Sequence, residues 1–82
     1  MIQFQGEADD VVKLSDATYA RDQWIHESSC AKTSAAYSPS PCVAYSGCEA
    51  THPVVWCQVP ALGHAVWVEA PKATWAFFAS LK

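Results

Sequence analysis

Four cysteines in one short stretch constrain this chain more than any other feature. Cys30, Cys42, Cys48 and Cys57 lie within 28 consecutive residues of an 82-residue chain. A domain of this size buries only about 60 to 65% of the surface that its unfolded chain exposes, so cross-links are a common means of stabilising it. Such a density of cysteines is typical of exported proteins, and we therefore expect two disulfides and an extracellular location.

Zinc binding is the alternative interpretation of the same cysteines. Structural zinc sites usually contain Cys-x-x-Cys pairs, whereas the spacings here are 12, 6 and 9 positions. The spacing therefore favours disulfides, for which four cysteines allow three pairings. If the two segments on either side of Cys48 form a hairpin, Cys42 lies nearly opposite Cys57. That arrangement predicts a Cys42–Cys57 bridge and leaves Cys30 to pair with Cys48.

Charge and hydropathy exclude several classes of function. The formal net charge is −3 and the five Lys and Arg residues are scattered singly, so no basic stripe is present for a phosphate backbone. No apolar run approaches the roughly 20 residues that cross a bilayer. The chain is 51% hydrophobic, which indicates a packed domain. We expect one small domain over residues 1–82, with neither nucleic acid nor membrane as a partner, and any export signal removed or upstream.

The polarity pattern of the first third predicts a strand followed by a helix. Residues 1–5 alternate between apolar and polar side chains, as in a half-buried strand, and Gly6 ends the pattern. Ser15 or Asp16 is suited to cap a helix that ends near Cys30. The apolar positions of this helix are Ala17, Ala20, Trp24 and Ile25.

The rest of the chain predicts a loop, two strands and a second helix. Residues 31–41 are small, polar and interrupted by proline, which is typical of a surface loop. Two β-branched and aromatic runs, 42–45 and 53–59, predict strands. A final helix should have Pro71 near its first turn. The positions at helical spacing that indicate an amphipathic helix are Ala73, Thr74, Phe77, Phe78 and Leu81. The alternating order indicates the α/β class.

Two short motifs place reactive side chains after predicted strands. Asp9 lies in the loop that follows the first strand, and Gly63-His64 lies in the loop that follows the last one. Folds of the α/β class carry their chemistry at these strand ends. The alternative is that neither residue is catalytic, Asp9 being a loop acid beside Asp10 and His64 an ordinary loop histidine. No serine occupies the Gly-x-Ser-x-Gly setting of a nucleophile elbow.

The remaining histidines and the tryptophans have mainly structural interpretations. His26 is expected on a helix and His52 in a turn, both in contact with solvent. A metal site formed by these two and His64 is an alternative, but the spacings are loose, and we expect neither a metal nor another cofactor. Large aromatic side chains dominate burial in small domains, so we place three tryptophans in the core: Trp24, Trp56 and Trp75. Trp67 is the candidate for stacking on an aromatic ligand.

Several motifs, taken in chain order, match one known family. They occupy residues 6–12, 21–24, 30, 42–48, 53–57, 63–64 and 73–78. Together they resemble the C-terminal part of secreted feruloyl esterases, which are close to acetylxylan esterases and poly(3-hydroxybutyrate) depolymerases. The resemblance covers nearly the whole chain. Tyr-x-Gly-Cys and Val-Trp-Cys are its more specific parts, whereas Gly-His alone is weak.

This resemblance implies a fold, a pair of site residues and a class of substrate. The chain corresponds to the last third of an α/β-hydrolase, with Asp9, in preference to Asp10, as the orienting acid and His64 as the general base. The serine elbow and the oxyanion hole belong to a part of the family that has no match here. The implied substrates are feruloyl or acetyl esters of plant xylan.

The matched motifs also differ from the family's pattern. Gln5-Gly6 stands where the family commonly has His-Gly, and Leu62-Gly63-His64 stands where it usually has Gly-Gly-His. Neither difference removes a triad role. The chain therefore retains the expected acid and base and lacks a recognisable nucleophile.

Three functional hypotheses remain open at this point. The first is a carboxylic ester hydrolase to which this chain contributes Asp9 and His64. The second is a non-catalytic, disulfide-linked module that self-associates or binds phenolic or carbohydrate ligands. The third is a small hydrolase in which a metal or His64 activates water. Because part of a larger sheet leaves unpaired strand edges and apolar faces, we expect a homo-oligomer in which self-association completes the fold.

Overall fold

A computed structural model describes residues 1–49 and 52–80 as a mixed sheet with one helix on each face. Its elements are β1 Ile2–Gly6, α1 Leu14–Glu27, β2 Ser34–Ala36, β3 Val43–Tyr45, β4 Val55–Val59 and α2 Ala70–Ser80. The strand order is β1-β4-β3-β2. Strands β1 and β4 are parallel, and the other two pairings are antiparallel. The general α/β class predicted from the sequence is therefore confirmed.

The register of the parallel pair sorts side chains between the two faces of the sheet. Phe4 pairs with Cys57, so their side chains point to the same face. On that face Val55, Cys57 and Val59 pack with residues of α2, and Ile2 and Phe4 border this cluster. On the other face the Nε2 atom of Gln3 lies 3.4 Å from the Ala17 carbonyl oxygen of α1. The helices therefore cover opposite faces.

Both predicted disulfides are present. Val43 lies opposite Trp56 in the β3–β4 pairing, which places the preceding Cys42 against the following Cys57. That bridge lies in the core, whereas Cys30–Cys48 joins the end of α1 to the turn after β3. Closing a loop of about 15 residues stabilises a small domain by about 3 kcal/mol in the chain-entropy estimate. Since all four cysteines are bonded, the zinc interpretation is wrong.

Two local predictions differ from the structure. The segment 31–41 contains β2, whose small, exposed residues pair with β3 and show no periodicity from which a strand could be predicted. The first helix begins at Leu14 and not at a Ser15 or Asp16 cap, and its N-cap residue Lys13 makes no side-chain capping bond. The second helix has Pro71 in its first turn, as predicted, while Leu81 lies outside the described residues.

The tryptophans divide between the core and the surface. Trp56 is buried as predicted, but Trp24 is 49% exposed and Trp75 is 77% exposed. Trp75 lies two positions from both Ala73 and Phe77, which are two of the three buried residues of α2, and at about 100° per residue it falls on the opposite side of the helix. The prediction that Trp24 and Trp75 lie in the core is therefore wrong. Within the described ranges, neither helix is long and apolar enough to cross a membrane.

Candidate active site

The candidate site lies where the carboxyl ends of β1 and β4 meet. These strands are adjacent and parallel, so the loops that follow them emerge at the same edge of the sheet. Asp9 belongs to the first loop and His64 to the second. The Asp9 Oδ2 and His64 Nδ1 atoms are 3.0 Å apart. The structure thus joins two side chains that are 55 positions apart in the sequence.

Gly6 allows these two loops to approach each other. A Cβ atom on Gly6 would lie 2.1 Å from the carbonyl oxygen of Leu62, which is closer than any nonbonded carbon and oxygen can pack. The Ala8 amide donates to that same oxygen at 2.9 Å, and the Glu7 amide donates to the Val59 carbonyl at 3.0 Å. The backbone preceding Asp9 is therefore bonded directly to the backbone preceding His64.

The carboxylate of Asp9 is held from two sides. Its Oδ1 atom accepts hydrogen bonds from the amides of Val11 and Val12, both at 2.9 Å. The side chain is only 8% exposed. The Val12 amide contributes most to lowering the pKa of Asp9 below its ordinary value of 3.8, and His64 and Val11 act in the same direction against the effect of burial. Asp9 is therefore an anion at neutral pH.

The imidazole of His64 is oriented but open to solvent. Its side chain is 57% exposed. With Asp9 ionised, Nδ1 donates its hydrogen to Oδ2, and in the neutral imidazole this leaves the lone pair on Nε2. No residue in the described part of the chain bonds Nε2. This is the arrangement in which a carboxylate fixes the tautomer of a histidine that acts as a general base.

A cavity of about 410 Å³ adjoins the pair. This volume lies within the roughly 300 to 1,000 Å³ that is usual for small-molecule sites. Apolar side chains supply half of its lining residues: Phe4, Val12, Leu62, Ala65 and Val66. Among the residues that the structure describes, no serine, threonine or cysteine lines it. The described part of the cavity therefore offers an acid–base pair beside an apolar surface, without a hydroxyl or thiol nucleophile from serine, threonine or cysteine.

Trp67 lies in the core and not on the wall of this cavity. It is 9% exposed, and its ring centroid lies 5.9 Å from that of Phe4. Its neighbours Val66 and Val68 point to solvent, so the chain turns the indole inward between them. Stacking of Trp67 on an aromatic ligand, as predicted, therefore requires the indole to leave the core. Val66 is the exposed apolar residue near His64. In an alternating segment Val66 and Trp67 point to opposite sides, and this pattern is the sequence feature from which the burial of Trp67 could have been predicted.

The structure gives no support to the three-histidine metal site. Within residues 1–49 and 52–80, which include all three histidines, no group of three or more His, Cys, Asp or Glu side chains is placed to hold a metal. His26 is exposed on α1, and His52 lies 3.4 Å from the Glu49 carboxylate. His64 instead pairs with Asp9.

A second cavity, of about 800 Å³, borders α1 and β3. The Arg21 guanidinium lies there above the rings of Trp56 and Tyr45, at 5.0 and 6.0 Å from their centroids. It also pairs with Asp22 at 3.1 Å. The charge of Arg21 is therefore already partnered, and its contacts attach α1 to the sheet.

Comparison with known proteins yields no relative. No protein family, curated protein or solved structure matches this chain. What is shown is a small α/β protein with two disulfides and an aspartate–histidine pair at adjacent strand ends. The resemblance to esterases in the sequence motifs stays a prediction.

Proposed function

We propose that Asp9 and His64 are the acid–base pair of a carboxylic ester hydrolase. The observation that carries this proposal is the 3.0 Å contact between Asp9 Oδ2 and His64 Nδ1, with Nε2 directed away from the acid. An aspartate on Nδ1 holds the tautomer whose Nε2 accepts a proton, and it stabilises the imidazolium that then forms. The position of the pair at two parallel strand ends also agrees with the esterase-like motifs.

In a complete serine esterase, His64 would take a proton from the serine hydroxyl as its oxygen attacks the ester carbonyl. The same proton would pass to the leaving alcohol. Since the 82 residues hold no nucleophile elbow, we propose that such a serine comes from a segment or chain outside them. For these residues alone the corresponding nucleophile is water.

In the water reaction, His64 Nε2 removes one proton as the water oxygen bonds to the carbonyl carbon. Collapse of the tetrahedral intermediate breaks the bond to the alcohol oxygen, which receives that proton. The products are a carboxylic acid and an alcohol, and the imidazole is regenerated. General-base assistance of this kind contributes roughly 10²- to 10⁴-fold to a rate. Hydrolysis by this chain alone should therefore be slow.

The apolar cavity wall favours an ester with an apolar acyl group. Phe4, Leu62 and Val66 line the space beside His64, and the volume of about 410 Å³ accommodates a single substituted aromatic ring. Feruloyl or acetyl esters of plant xylan, in an extracellular setting, are the natural substrates that we propose from the motif resemblance. The two disulfides fit an extracellular protein.

The test is hydrolysis of methyl ferulate and p-nitrophenyl acetate by the purified chain. We expect His64→Ala to reduce the rate above buffer about 100-fold or more and Asp9→Asn to reduce it about tenfold or more. His26→Ala is the matched control, because it removes an exposed histidine from α1 that is outside the site. A chelator should leave the rate unchanged. Equal rates for the wild type and His64→Ala would contradict the proposal, and loss with chelator would support the metal-assisted alternative.

A second candidate function is self-association as a non-catalytic module. The observation that favours it is the position of β1 at the edge of the sheet, where its only strand partner in the described residues is β4. The strand Ile2–Gly6 contains no charge and no proline, which are the usual devices against edge pairing. We therefore propose a second copy of the chain as the partner, and the mass of the wild type in solution tests this proposal.

A further inference from the structure

We infer that Gln5 is a positioning residue for the Asp9–His64 pair. This inference rests on the function proposed for that pair. Gln5 lies in β1 and is buried, with 6% of the residue exposed. It faces α1, as Gln3 does, because alternate residues of a strand share a face. A buried side-chain amide in a small domain requires partners, and those of Gln5 identify its role.

The Gln5 amide closes the loop that carries Asp9. Its Nε2 atom donates to the Val12 carbonyl at 2.9 Å and to the Gly6 carbonyl at 3.1 Å. A side-chain amide has two N–H donors, and both are used. Gly6 and Val12 flank the segment that contains Asp9. One buried group therefore fixes both ends of this segment.

The same two residues also bond Asp9 directly. The Val12 amide donates to Asp9 Oδ1 at 2.9 Å, and the Asp9 amide donates to the Gly6 carbonyl at 3.3 Å. Gln5 thus holds Val12 through the Val12 carbonyl, and Val12 in turn holds the Asp9 carboxylate through the Val12 amide. The other carboxylate oxygen, Oδ2, contacts His64. A continuous series of hydrogen bonds leads from Gln5 to the imidazole.

Gln5→Met is the informative substitution, since methionine matches the length of glutamine and has no donor. The matched control is Gln3→Met on the same face of β1, where the lost contact is to the Ala17 carbonyl of α1 at 3.4 Å. Both variants lose one glutamine amide from the same strand. Only Gln5→Met disturbs the segment that holds Asp9. A general loss of stability would affect both.

The readout is the tautomer of His64, measured from the 15N shifts of its ring nitrogens by NMR. In the wild type and in Gln3→Met we expect the Nδ1–H tautomer that Asp9 selects. In Gln5→Met we expect a mixture with the Nε2–H tautomer, together with about a tenfold fall in the ester hydrolysis rate, part of the general-base contribution. The tautomer is measured without turnover, so absence of hydrolysis in every variant would reject the water reaction proposed for these residues and would still test Gln5.

A second variant covers the case in which Gln5→Met does not fold. Gln5→Asn retains a buried amide but is one carbon shorter, so it cannot reach both carbonyls. We expect the same shift of His64 towards mixed tautomers. If the folded variants keep the wild-type Nδ1–H tautomer, Gln5 does not position the pair and the inference is wrong.

Discussion

The charge of Asp9 links the stability of the fold to pH. Hydrogen bonds from Val12, His64 and Val11 lower its pKa below 3.8 in the folded chain. The folded state therefore releases this proton more readily than the unfolded state, and the carboxylate stabilises the fold above pH 3.8. This contribution is lost as the pH falls from 3.8 through the lower pKa of the folded state. We predict that the free energy of unfolding decreases over that window.

Urea unfolding of the wild type and Asp9→Asn between pH 2 and pH 6 checks this prediction. Asparagine keeps an acceptor oxygen for Val11 and Val12 but carries no charge, so the difference in stability should be largest above pH 3.8 and shrink below it. Asp10→Asn removes a neighbouring charge from the same loop and serves as the control. A pH-independent difference between the wild type and Asp9→Asn would contradict the account.

Gly6 is the residue at which the two site loops are most sensitive to added volume. In Gly6→Ala the new methyl group would meet the Leu62 carbonyl at 2.1 Å, so the backbone must separate there. We expect a loss of at least about 2 kcal/mol in unfolding free energy, comparable to overpacking of a core. The separation should also weaken the contact between Asp9 and His64.

Thermal unfolding and the His64 ring 15N shifts measure these two effects. The matched control is Gly63→Ala, where a Cβ atom would have nothing within 4 Å although the residue adjoins His64. Alanine at Gly63 should leave the melting temperature and the tautomer nearly unchanged. The explanation for Gly6 would be wrong if both substitutions had the same effect.

At the scale of the elements, a buried face decided which of them could be predicted from the sequence. Strands β1, β3 and β4 and both helices were predicted, because each has apolar side chains that are buried or that pack against the core. Strand β2 was not, because Ser34–Ala36 is small and exposed and is a strand only by virtue of its pairing with β3. The apolar periodicity of a helix does not indicate how much of the helix surface the sheet covers. The exposure of Trp75 could therefore not be predicted from the sequence.

The two residues of the candidate site could be predicted from the sequence, but the strand pairing and the hydrogen bonds that hold them in place could not. The motifs singled out Asp9 and His64, but their contact depends on the parallel pairing of β1 with β4, which brings the ends of distant segments together. Gln5 had the pattern of an ordinary polar position in an alternating strand. Only the folded loop shows that its amide reaches Val12.

At the scale of the whole molecule, the open edge of β1 determines how copies of the chain are expected to meet. The Met1 carbonyl and the Glu7 amide form hydrogen bonds with β4, so the odd-numbered residues of this segment direct their backbone N–H and C=O groups towards β4. The intervening Ile2 and Phe4 then direct their backbone groups outwards. A second β1 related by a two-fold axis would pair with this edge as an antiparallel neighbour, with identical contacts on both copies. We predict a dimer.

Sedimentation equilibrium of the wild type and Ile2→Pro tests this prediction. Proline at Ile2 removes an outward-facing donor and leaves the bonds from β1 to β4 in place, as is usual for proline on an edge strand. We expect the wild type to be dimeric and the variant to dissociate. A monomeric wild type, or a dimer unaffected by Ile2→Pro, would show that this edge is not the interface.

Asp9 and His64 are expected to act together as one acid–base unit, and a double-mutant cycle on methyl ferulate hydrolysis checks this expectation. The rates of the wild type, Asp9→Asn, His64→Ala and the double variant are compared. Residues that act as a unit show non-additive losses, so the double variant should be no slower than His64→Ala alone. If the rate losses of the two single variants multiply in the double variant, or if His64→Ala is as fast as the wild type, the two residues do not act as one acid–base unit.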